Sequence, residues 1–546
     1  HLTNKPLKKM KKTILWAALA LFVPALLRAG EKPTRHTFDV VVYGGTSSGV
    51  IAACAAAREG AKVALLEETR HLGGMTSSGL GNVDKGKETT IGGYAREFFI
   101  RVGDHYGMGG KPCWKMEPSV AENTFVAMAK EAGVQIFYGA RLLEKKGVEC
   151  KGGKIRRIVM ENGDSFTAPV FIDATYEGDL MAWAGVSYTV GRESMKEYGE
   201  PGAGVRIRTD LTVRKVGTKR IAQMKEEYRN FPYDYYFGEA GEPGEADNKV
   251  QAYCFRLTLT NRPENRVPFT KPDNYDPVRY KGTLDRVLKT NVTRLDGVYT
   301  FYHMPNGKTD INHMDLSNVS WGYPDGSYAE RQKIWQYHKD YQMGALWFFT
   351  HDPRVPEALR REASTWGFAK DEFADNGHWP RTLYIREGRR MKGAYVMRQQ
   401  DAWENATKED AVGMGSYFMD CHNVQRTITP DGRLIVEGNM GIPVEGVQGK
   451  FSHQPMKPYQ IPYRSLTPKE EECGNLLVTI CLSASHVIYG SLRMEPVYMI
   501  AGHAAGVAAA QAVREKTAVQ RIDVPGLQAR LKAQGQVFEY TDPKKK

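Results

Sequence analysis

The chain has 546 residues, of which 41% are hydrophobic, 10% aromatic and 25% charged. These proportions are those of an ordinary globular protein, and they exclude a disordered, collagenous or coiled-coil chain. The formal net charge of +12 would suit a nucleic-acid-binding protein. However, residues 1–29 contain six basic residues and no acidic residue, so half of this charge lies in one N-terminal segment. We therefore predict no nucleic-acid partner.

The N-terminal segment has the features of a secretory signal peptide. Lysines surround Met10, residues 14–27 are apolar, and Arg28-Ala29-Gly30 follows. This order is typical of signal peptides, and the apolar run is shorter than the roughly 20 residues of a membrane span. We expect residues 1–29 to be removed, residues 1–9 being an upstream extension. The mature form would then be periplasmic or secreted and not embedded in a membrane. The alternative is an uncleaved N-terminal anchor.

The cysteines give no sign of a covalent or metal framework. There are seven of them, an odd number, and no two form a Cys-x-x-Cys pair. Such usage is typical neither of a disulfide scaffold nor of a zinc site. We expect no metal site, and the sequence assigns no disulfide bond.

A nucleotide-binding pattern follows the N-terminal segment. Residues 38–43 (FDVVVY) favour a buried parallel strand, residues 50–58 a helix rich in small side chains, and residues 62–67 (KVALLE) a second strand. A turn, Gly44-Gly45-Thr46-Ser47-Ser48-Gly49, joins the first strand to the helix. Strand, glycine turn, helix, strand and a final acid within about 30 residues form the dinucleotide-binding unit.

The positions of this unit have separate physical roles. Gly44 permits the tight turn, Gly49 lets the helix lie close to the sheet, and the first helical amides favour a pyrophosphate. Glu67 can accept hydrogen bonds from a ribose diol. Thr46 replaces the middle glycine, but its hydroxyl and those of Ser47 and Ser48 could bind phosphate. The alternative is a glycine-rich turn in an unrelated α/β fold.

The loop after the second strand, residues 70–81 (RHLGGMTSSGLG), suggests which dinucleotide is bound. Its glycines allow close approach to a large flat cofactor, so Gly73, Gly74 and Met75 are expected to contact it. Here the sequence resembles glutathione-reductase-type FAD proteins and, more closely, bacterial secreted FAD-dependent oxidoreductases related to fumarate-reductase flavoproteins. The resemblance runs from about residue 38 to residue 538. Further blocks carry it: residues 171–180, 370–380, 384–397, 415–422, 461–466 and 475–496.

The resemblance implies an α/β fold that binds FAD. A Rossmann-like FAD-binding domain, three-layer ββα and of the glutathione-reductase type, would be interrupted by an α+β substrate or cap domain. The expected boundaries are 36–190 for the first part, 191–380 for the cap, 381–520 for the return to the FAD domain and 521–546 for a C-terminal helix and basic tail. The resemblance also places Leu142 near the adenine and Thr175 near the FAD backbone. Plain core packing is the alternative for Leu142.

The expected cap region is rich in aromatic residues. Residues 252–260 alternate like a half-buried strand, and residues 328–349 favour a helix that carries seven aromatic side chains. Exposed aromatic side chains could stack on sugar rings. The alternative is an aromatic-rich core.

The C-terminal part is expected to return to the cofactor. Residues 475–480 favour a short apolar strand, and residues 497–514 favour a helix of small residues that could pack closely. By resemblance, the start of this helix, with Arg493 and Glu495, points at the pyrimidine edge of the isoalloxazine ring. Reduced flavin is negatively charged there, and a helix N-terminus stabilises negative charge.

Candidate catalytic residues come from the histidines, because flavin chemistry moves a hydride at N5 and usually needs a protein group to move a proton. Asp420 and His422 are two residues apart and would point the same way on a strand, as an acid–base pair. The alternative is a structural hydrogen-bonded pair. His486 and His453 are further candidates. His71 is a candidate for covalent flavin attachment, by analogy with fumarate-reductase relatives.

An arginine-rich segment, residues 386–390 (REGRR), follows a strand-like stretch. Arginines can hold a carboxylate or sugar hydroxyls, which makes Arg386 a further catalytic candidate. The alternative is a buried ion-pair network that braces the domain interface, with Asp371 and Glu372 as partners.

The sequence leaves three functions open. The main hypothesis is an exported FAD-dependent oxidoreductase that acts on a small polar molecule, plausibly a carbohydrate. The second is a polysaccharide-acting lyase or carbohydrate-binding protein that retains FAD structurally. The third, suggested by charge alone, is nucleic-acid binding.

Overall fold

The computed structural model describes residues 33–207, 214–215, 217–227, 236–440, 442–443, 451–452 and 457–540. The expected signal peptide, His453 and the terminal lysines lie outside these residues.

The helices and strands alternate in the N-terminal part, as an α/β fold requires. The helices are α1 (Ser47–Arg58), α2 (Gly93–His105), α3 (Pro118–Glu131), α4 (Asp179–Trp183), α5 (Met195–Tyr198), α6 (Thr218–Glu227), α7 (Lys281–Thr290), α8 (Tyr328–His351), α9 (Glu357–Ala363), α10 (Gln399–Trp403), α11 (His486–Leu492), α12 (Glu495–Glu515) and α13 (Val524–Ala533). The strands are β1 (Arg35–Thr37), β2 (Val40–Tyr43), β3 (Val63–Glu67), β4 (Gln135–Tyr138), β5 (Val148–Cys150), β6 (Ile155–Val159), β7 (Ser165–Thr167), β8 (Val170–Asp173), β9 (Tyr188–Thr189), β10 (Arg214–Lys215), β11 (Tyr236–Phe237), β12 (Leu257–Thr260), β13 (Arg266–Val267), β14 (Thr300–His303), β15 (Lys308–Asn312), β16 (Gly367–Ala369), β17 (Arg390–Met391), β18 (Ala411–Gly415), β19 (Gln425–Ile428), β20 (Arg433–Glu437), β21 (Ile442–Pro443), β22 (Phe451–Ser452), β23 (Tyr459–Pro462) and β24 (Leu476–Val478).

A parallel five-stranded sheet in the order β24-β8-β2-β3-β4 forms the centre of the fold. Four of these strands come from the first 173 residues, whereas β24 comes from near the C-terminus and pairs Leu476 with Phe171. Every residue of β2, β3, β8 and β24 is buried, as in strands covered on both faces. The sequence-based prediction that the chain returns to the first domain is therefore confirmed at this pairing.

Small residues let helices α1 and α12 pack backbone against backbone. A Cβ atom added at Gly502 would lie 2.3 Å from the carbonyl oxygen of Ser48, and one at Gly506 would lie 2.2 Å from that of Ala52. No side chain fits at such distances. The glycine-rich helix predicted from residues 497–514 thus has the close packing that its composition indicated.

The middle of the chain has a sheet of its own, antiparallel and ordered β13-β16-β12-β15-β14. Its strands lie between residues 257 and 369 and pair only with one another in that sheet. This pairing fits an inserted α+β unit, and the domain boundaries stay predictions. Strand β4 ends at Tyr138, because Gly139 adopts a left-handed φ of 67°.

The aromatic residues of the middle region contact one another. Helix α8 begins after Ser327, which forms a capping box with Glu330. The ring of Phe255 meets Trp335 at 5.1 Å and Trp379 at 5.3 Å, both edge to face. Phe348 and Phe349 are fully buried. These contacts agree with the aromatic-rich core, one of the two alternatives, and not with a sugar-stacking surface. None of the described helices is long and apolar enough to cross a membrane.

Candidate FAD site and active site

The turn between β2 and α1 needs glycine at two positions. Gly44 has a φ of 101°, and a Cβ atom there would lie 2.9 Å from the backbone of Ala174. At Gly49 an added Cβ would lie only 1.9 Å from the Gly44 carbonyl oxygen. Both glycines therefore have the roles that the sequence predicted, a tight turn and a close helix.

The hydroxyls of this turn contact protein groups. Thr46 caps α1: its Oγ1 accepts from the Gly49 amide at 3.1 Å and donates to the Ala174 carbonyl at 2.7 Å. Ser47 donates to Glu495, and Ser48 donates to the Tyr498 carbonyl at 2.7 Å. The expectation that these hydroxyls bind phosphate is corrected. The first amides of α1, which have no intrahelical partner, are the groups that can bind it.

Glu67 lies at the end of β3 as predicted, 8% exposed. Its Oε2 accepts from the Gly45 amide at 2.8 Å, and its Oε1 accepts from the Thr69 amide at 2.8 Å. Burial raises the pKa of this carboxyl. The hydrogen bonds fix the carboxylate beside the glycine turn, where a ribose diol would meet it.

A cavity of about 330 Å³ opens beside the turn, a volume at the lower end of the range for ligand sites. Its wall combines the turn (Gly44, Thr46), the acid (Glu67), the glycine loop (Gly74, Ser77, Ser78), the loop after β8 (Thr175, Tyr176) and the segment that follows the expected cap (Leu383, Ile385). A Cβ atom at Gly74 would lie 2.5 Å from Tyr176 Oη, so backbone alone fits there. The glycines of this wall, the amides of Ser47 and Ser48 at the start of α1, and the carboxylate of Glu67 suit the pyrophosphate and ribose of FAD.

Of the other predicted cofactor contacts, Gly73, Met75 and Leu142 do not line the cavity. Gly73 and Gly74 have positive φ angles of 105° and 55°, and Met75 is buried with its amide donating to Tyr176 Oη at 2.9 Å. Leu142 is fully buried in a core cluster, and its amide and carbonyl pair with the hydroxyls of Tyr43 and Tyr328. Those two tyrosines line the cavity. The core-packing alternative is therefore correct for the Leu142 side chain.

Glu495 links the start of α12 to the cofactor cavity. Its carboxylate accepts from Ser47 Oγ, from Thr76 Oγ1 at 2.8 Å and from Tyr176 Oη at 2.8 Å. The side chain is 3% exposed, and burial raises its pKa. Glu495 thus fixes α1, the glycine loop and α12 together. Direct contact of Glu495 with the flavin stays a prediction.

The predicted pair Asp420 and His422 faces one site, although both residues lie in a loop between β18 and β19 and not on a strand. His422 Nε2 is 3.6 Å from Asp420 Oδ2. Its nearer partner is Asp315, whose Oδ2 lies 2.5 Å from His422 Nδ1. An imidazole held by a carboxylate at Nδ1 presents its Nε2 for proton transfer.

Asp315 was missed by the sequence analysis. It follows β15 in a segment where His313 and Asn318 have left-handed φ angles of 65° and 70°. Such angles are uncommon outside glycine and mark constrained turns. The His313 ring stacks on that of His422 with centroids 6.2 Å apart. A spacing of two residues between His313 and Asp315 was the only available sequence signal.

Two arginines hold this group in place. Arg386 Nη2 lies 2.8 Å from Asp315 Oδ1, and Arg493 Nη2 lies 2.7 Å from Asp420 Oδ2. Burial alone would raise the pKa of Asp315, but Arg386 and His422 hold it well below its usual range. Arg386 is fully buried, so its predicted catalytic role is corrected to positioning of Asp315. Arg493 also donates to Tyr384 Oη at 2.8 Å.

His486 is not placed for catalysis, which corrects its prediction. It is 1% exposed, and its Nδ1 lies 2.8 Å from Glu387 Oε2. Arg390 pairs with Glu387 and with Glu193, so three segments meet in one buried ionic network. Burial alone would lower the pKa of His486, yet Glu387 raises it to about 10.

The raised pKa of His486 predicts a pH-dependent contribution to stability. The stabilisation is complete below the unfolded pKa of about 6.5 and is lost as the pH rises through the folded value of about 10. The stability difference between the parent protein and His486→Gln should therefore be largest at pH 6 and shrink towards pH 10. Urea unfolding across this range measures it. If the stability difference between the two proteins did not change with pH, the prediction that His486 is charged in the folded protein would be wrong.

The other charged candidates are structural. Arg389 pairs with Asp179 at 2.6 Å, so the network alternative for residues 386–390 is correct. Asp371 and Glu372 instead contact Lys308, at 2.8 and 2.7 Å, which corrects their assignment to that network.

His71 lies in the cavity wall, with its two ring nitrogens close to carboxylates. Nδ1 is 2.7 Å from Glu122, and Nε2 is 2.8 Å from Asp375. This arrangement does not favour covalent attachment of the flavin. In the described parts of the chain, no group of three or more His, Cys, Asp or Glu side chains could hold a metal ion.

Comparisons with solved structures give distant matches. A geranylgeranyl bacteriochlorophyll reductase-like protein of Thermoplasma acidophilum is 11% identical over 91% of this chain and 83% of its own, with a TM-score of 0.33. THI4 of Thermovibrio ammonificans is 20% identical over 29% of this chain and 66% of its own, with a TM-score of 0.22. L-amino acid deaminase of Proteus vulgaris is 18% identical over 30% and 53%, with a TM-score of 0.22. The matched region spans less than two thirds of the latter two proteins.

The family comparison covers nearly the whole chain. No curated protein matches the chain. The model of a family described as FAD dependent oxidoreductase matches residues 39–531. This range contains the glycine turn, Glu67, the cavity wall, and His422 with its neighbours Asp315 and Asp420. The chain therefore belongs to the FAD dependent oxidoreductase family, and FAD is its cofactor.

Proposed function

We propose that this protein oxidises a small polar substrate with FAD, and that His422 takes the substrate proton. The observation that carries the proposal is the contact of 2.5 Å between His422 Nδ1 and Asp315 Oδ2. When bound, FAD supplies an acceptor for the hydride and its two electrons. The remaining work falls to side chains of this chain.

Asp315 orients the imidazole of His422 and stabilises its positive charge after proton uptake. Arg386 keeps Asp315 ionised, since it lies 2.8 Å from the carboxylate and lowers its pKa. His422 is only partly exposed, at 12% of its side chain, so one edge is open to a substrate while the rest is shielded. This is the arrangement of a general base oriented by a carboxylate.

Two segments of the chain connect the residues around His422 to the cofactor cavity. Arg493 lies two residues before Glu495, which accepts a hydrogen bond from the cavity-wall residue Tyr176. Leu383 and Ile385 line the cavity, whereas the intervening Tyr384 contacts Arg493. Substrate at His422 would therefore lie next to the flavin end of the cofactor.

Two measurements test the proposal. The purified protein should show flavin absorbance near 450 nm, and a member of a panel of sugars, alcohols, amines and hydroxy acids should bleach it anaerobically. Protein that binds no FAD would contradict the cofactor assignment. Flavin that no member bleaches, with release of an unsaturated uronate from polysaccharide, would favour the second function, a lyase that retains FAD structurally. Carbohydrates are the first class to test, because they are small, polar and rich in oxidisable hydroxyls.

A further inference from the structure

The charges around His422 are matched in pairs. Arg256 lies against Asp310, Arg386 against Asp315 and Arg493 against Asp420, each contact being 2.8 Å or shorter. Arg256 and Asp310 are 1% exposed or less, and Arg386 is fully buried. An arginine already paired with a carboxylate has little positive charge left for an anionic ligand. The arginines of the site are therefore structural counter-charges.

One carboxylate remains outside these pairs. Asp84 accepts a hydrogen bond from Tyr417 Oη at 3.0 Å and makes no salt bridge within the described residues. Asp84 lies two residues after Asn82, whose amide donates to Asp310 Oδ2 at 3.1 Å, and Asp310 pairs with Arg256, so Asp84 belongs to the same group of charges. The three pairs and Asp84 together carry an excess of one negative charge.

One continuous segment runs from the wall of the cofactor cavity to Asp84. Gly74, Ser77 and Ser78 line the cavity, and the same segment continues to the amides of Gly81 and Asn82, which donate to Asp310 Oδ2 at 3.1 Å. An added Cβ at Gly79 would lie 1.8 Å from the Arg256 carbonyl oxygen. The position of Asp84 relative to the cavity is thus fixed by backbone contacts.

The groups left for a substrate are mainly acceptors. Asp84 has one carboxylate oxygen beyond its bond to Tyr417, and the Asp420 side chain is 22% exposed. A hydroxyl can donate to such oxygens, whereas a carboxylate would meet charge of its own sign. Resting on the proposed function, we propose that the substrate is an uncharged polyhydroxyl compound and not a carboxylic acid, with Asp84 accepting a hydrogen bond from a substrate hydroxyl.

Matched pairs of ligands test this inference on the FAD-loaded protein. Glucose and glucuronate, and glycerol and glycerate, differ in whether a CH₂OH group or a carboxylate is present. Binding is measured by the change in the flavin spectrum and by the shift of the melting temperature. We expect the uncharged member to bind at least about tenfold more tightly in one or both pairs. Equal or tighter binding of the acids, or no binding of either neutral compound, would overturn the inference.

The variant Asp84→Asn tests whether Asp84 causes the preference for uncharged ligands. Asp84→Asn retains an acceptor for Tyr417 but removes the charge, so the neutral ligand should bind about tenfold to a hundredfold more weakly, and discrimination against the acid should shrink. Asp285→Asn, an exposed partner of Lys281 on α7, is the control and should change neither. Unchanged discrimination in Asp84→Asn would overturn the assignment.

Binding and reduction separate the two proposals. Bleaching by a hydroxy acid that depends on His422 would leave the proposed function standing and overturn this inference. Selective binding of neutral compounds without any bleaching would support the inference on ligand class and contradict the proposed oxidation.

Discussion

Replacing His422 by glutamine should slow anaerobic reduction of the bound flavin by about 10²–10⁴-fold, the usual contribution of a general base. Glutamine can still donate to Asp315 but cannot take a proton. His422 is partly exposed and lies in a loop, so the substitution leaves the buried sheet untouched. Stopped-flow absorbance near 450 nm with the best substrate of the panel gives the rate.

The control for this prediction is a histidine outside the site. His351 stacks on Trp347 at the end of α8 and is exposed, so His351→Gln should reduce flavin at the parent rate. FAD content and melting temperature should be the same in both variants. A His422→Gln protein that is reduced within threefold of the parent rate would show that another group moves the proton.

Substituting alanine for Gly49 should weaken FAD binding by about tenfold to a hundredfold. The new Cβ would lie 1.9 Å from the Gly44 carbonyl oxygen, a backbone atom, so either α1 or the turn must move. Overpacking of this kind costs about 1–3 kcal/mol, and each 1.4 kcal/mol is a tenfold change in affinity. Because α1 carries the phosphate-binding amides, the cofactor site bears this cost. Fluorescence titration of the FAD-free protein measures the affinity.

Gly322→Ala is the matched control, since nothing lies within 4 Å of a Cβ atom at that exposed position. It should bind FAD like the parent. If Gly49→Ala also bound FAD at parent strength with an unchanged melting temperature, the close approach of helix and turn would not be required.

The cofactor unit could be predicted because its residues are neighbours in sequence. Gly44, Gly49 and Glu67 lie within one strand–helix–strand unit, and local backbone geometry sets their positions. The return of β24 to the sheet was expected from the resemblance to FAD-dependent oxidoreductases, which residues 475–496 help to carry. The prediction that the hydroxyls of Ser47 and Ser48 bind phosphate was wrong, because they donate to Glu495 and to the Tyr498 carbonyl of α12.

The contact between the proposed catalytic residues could not be predicted from local sequence patterns. Asp315 and His422 are 107 residues apart, and their contact exists only because the inserted sheet is folded against the loop after β18. The burial of His486 and Arg386 likewise depends on segments distant in sequence, and burial changes a histidine or arginine from a reactive group into a structural ion. The sequence by itself therefore determined that the chain binds FAD through an interrupted α/β domain. Only the tertiary structure decided which charged side chains are buried in ion pairs and which stay partly exposed, because charge pairing depends on distances of a few ångströms between separate segments.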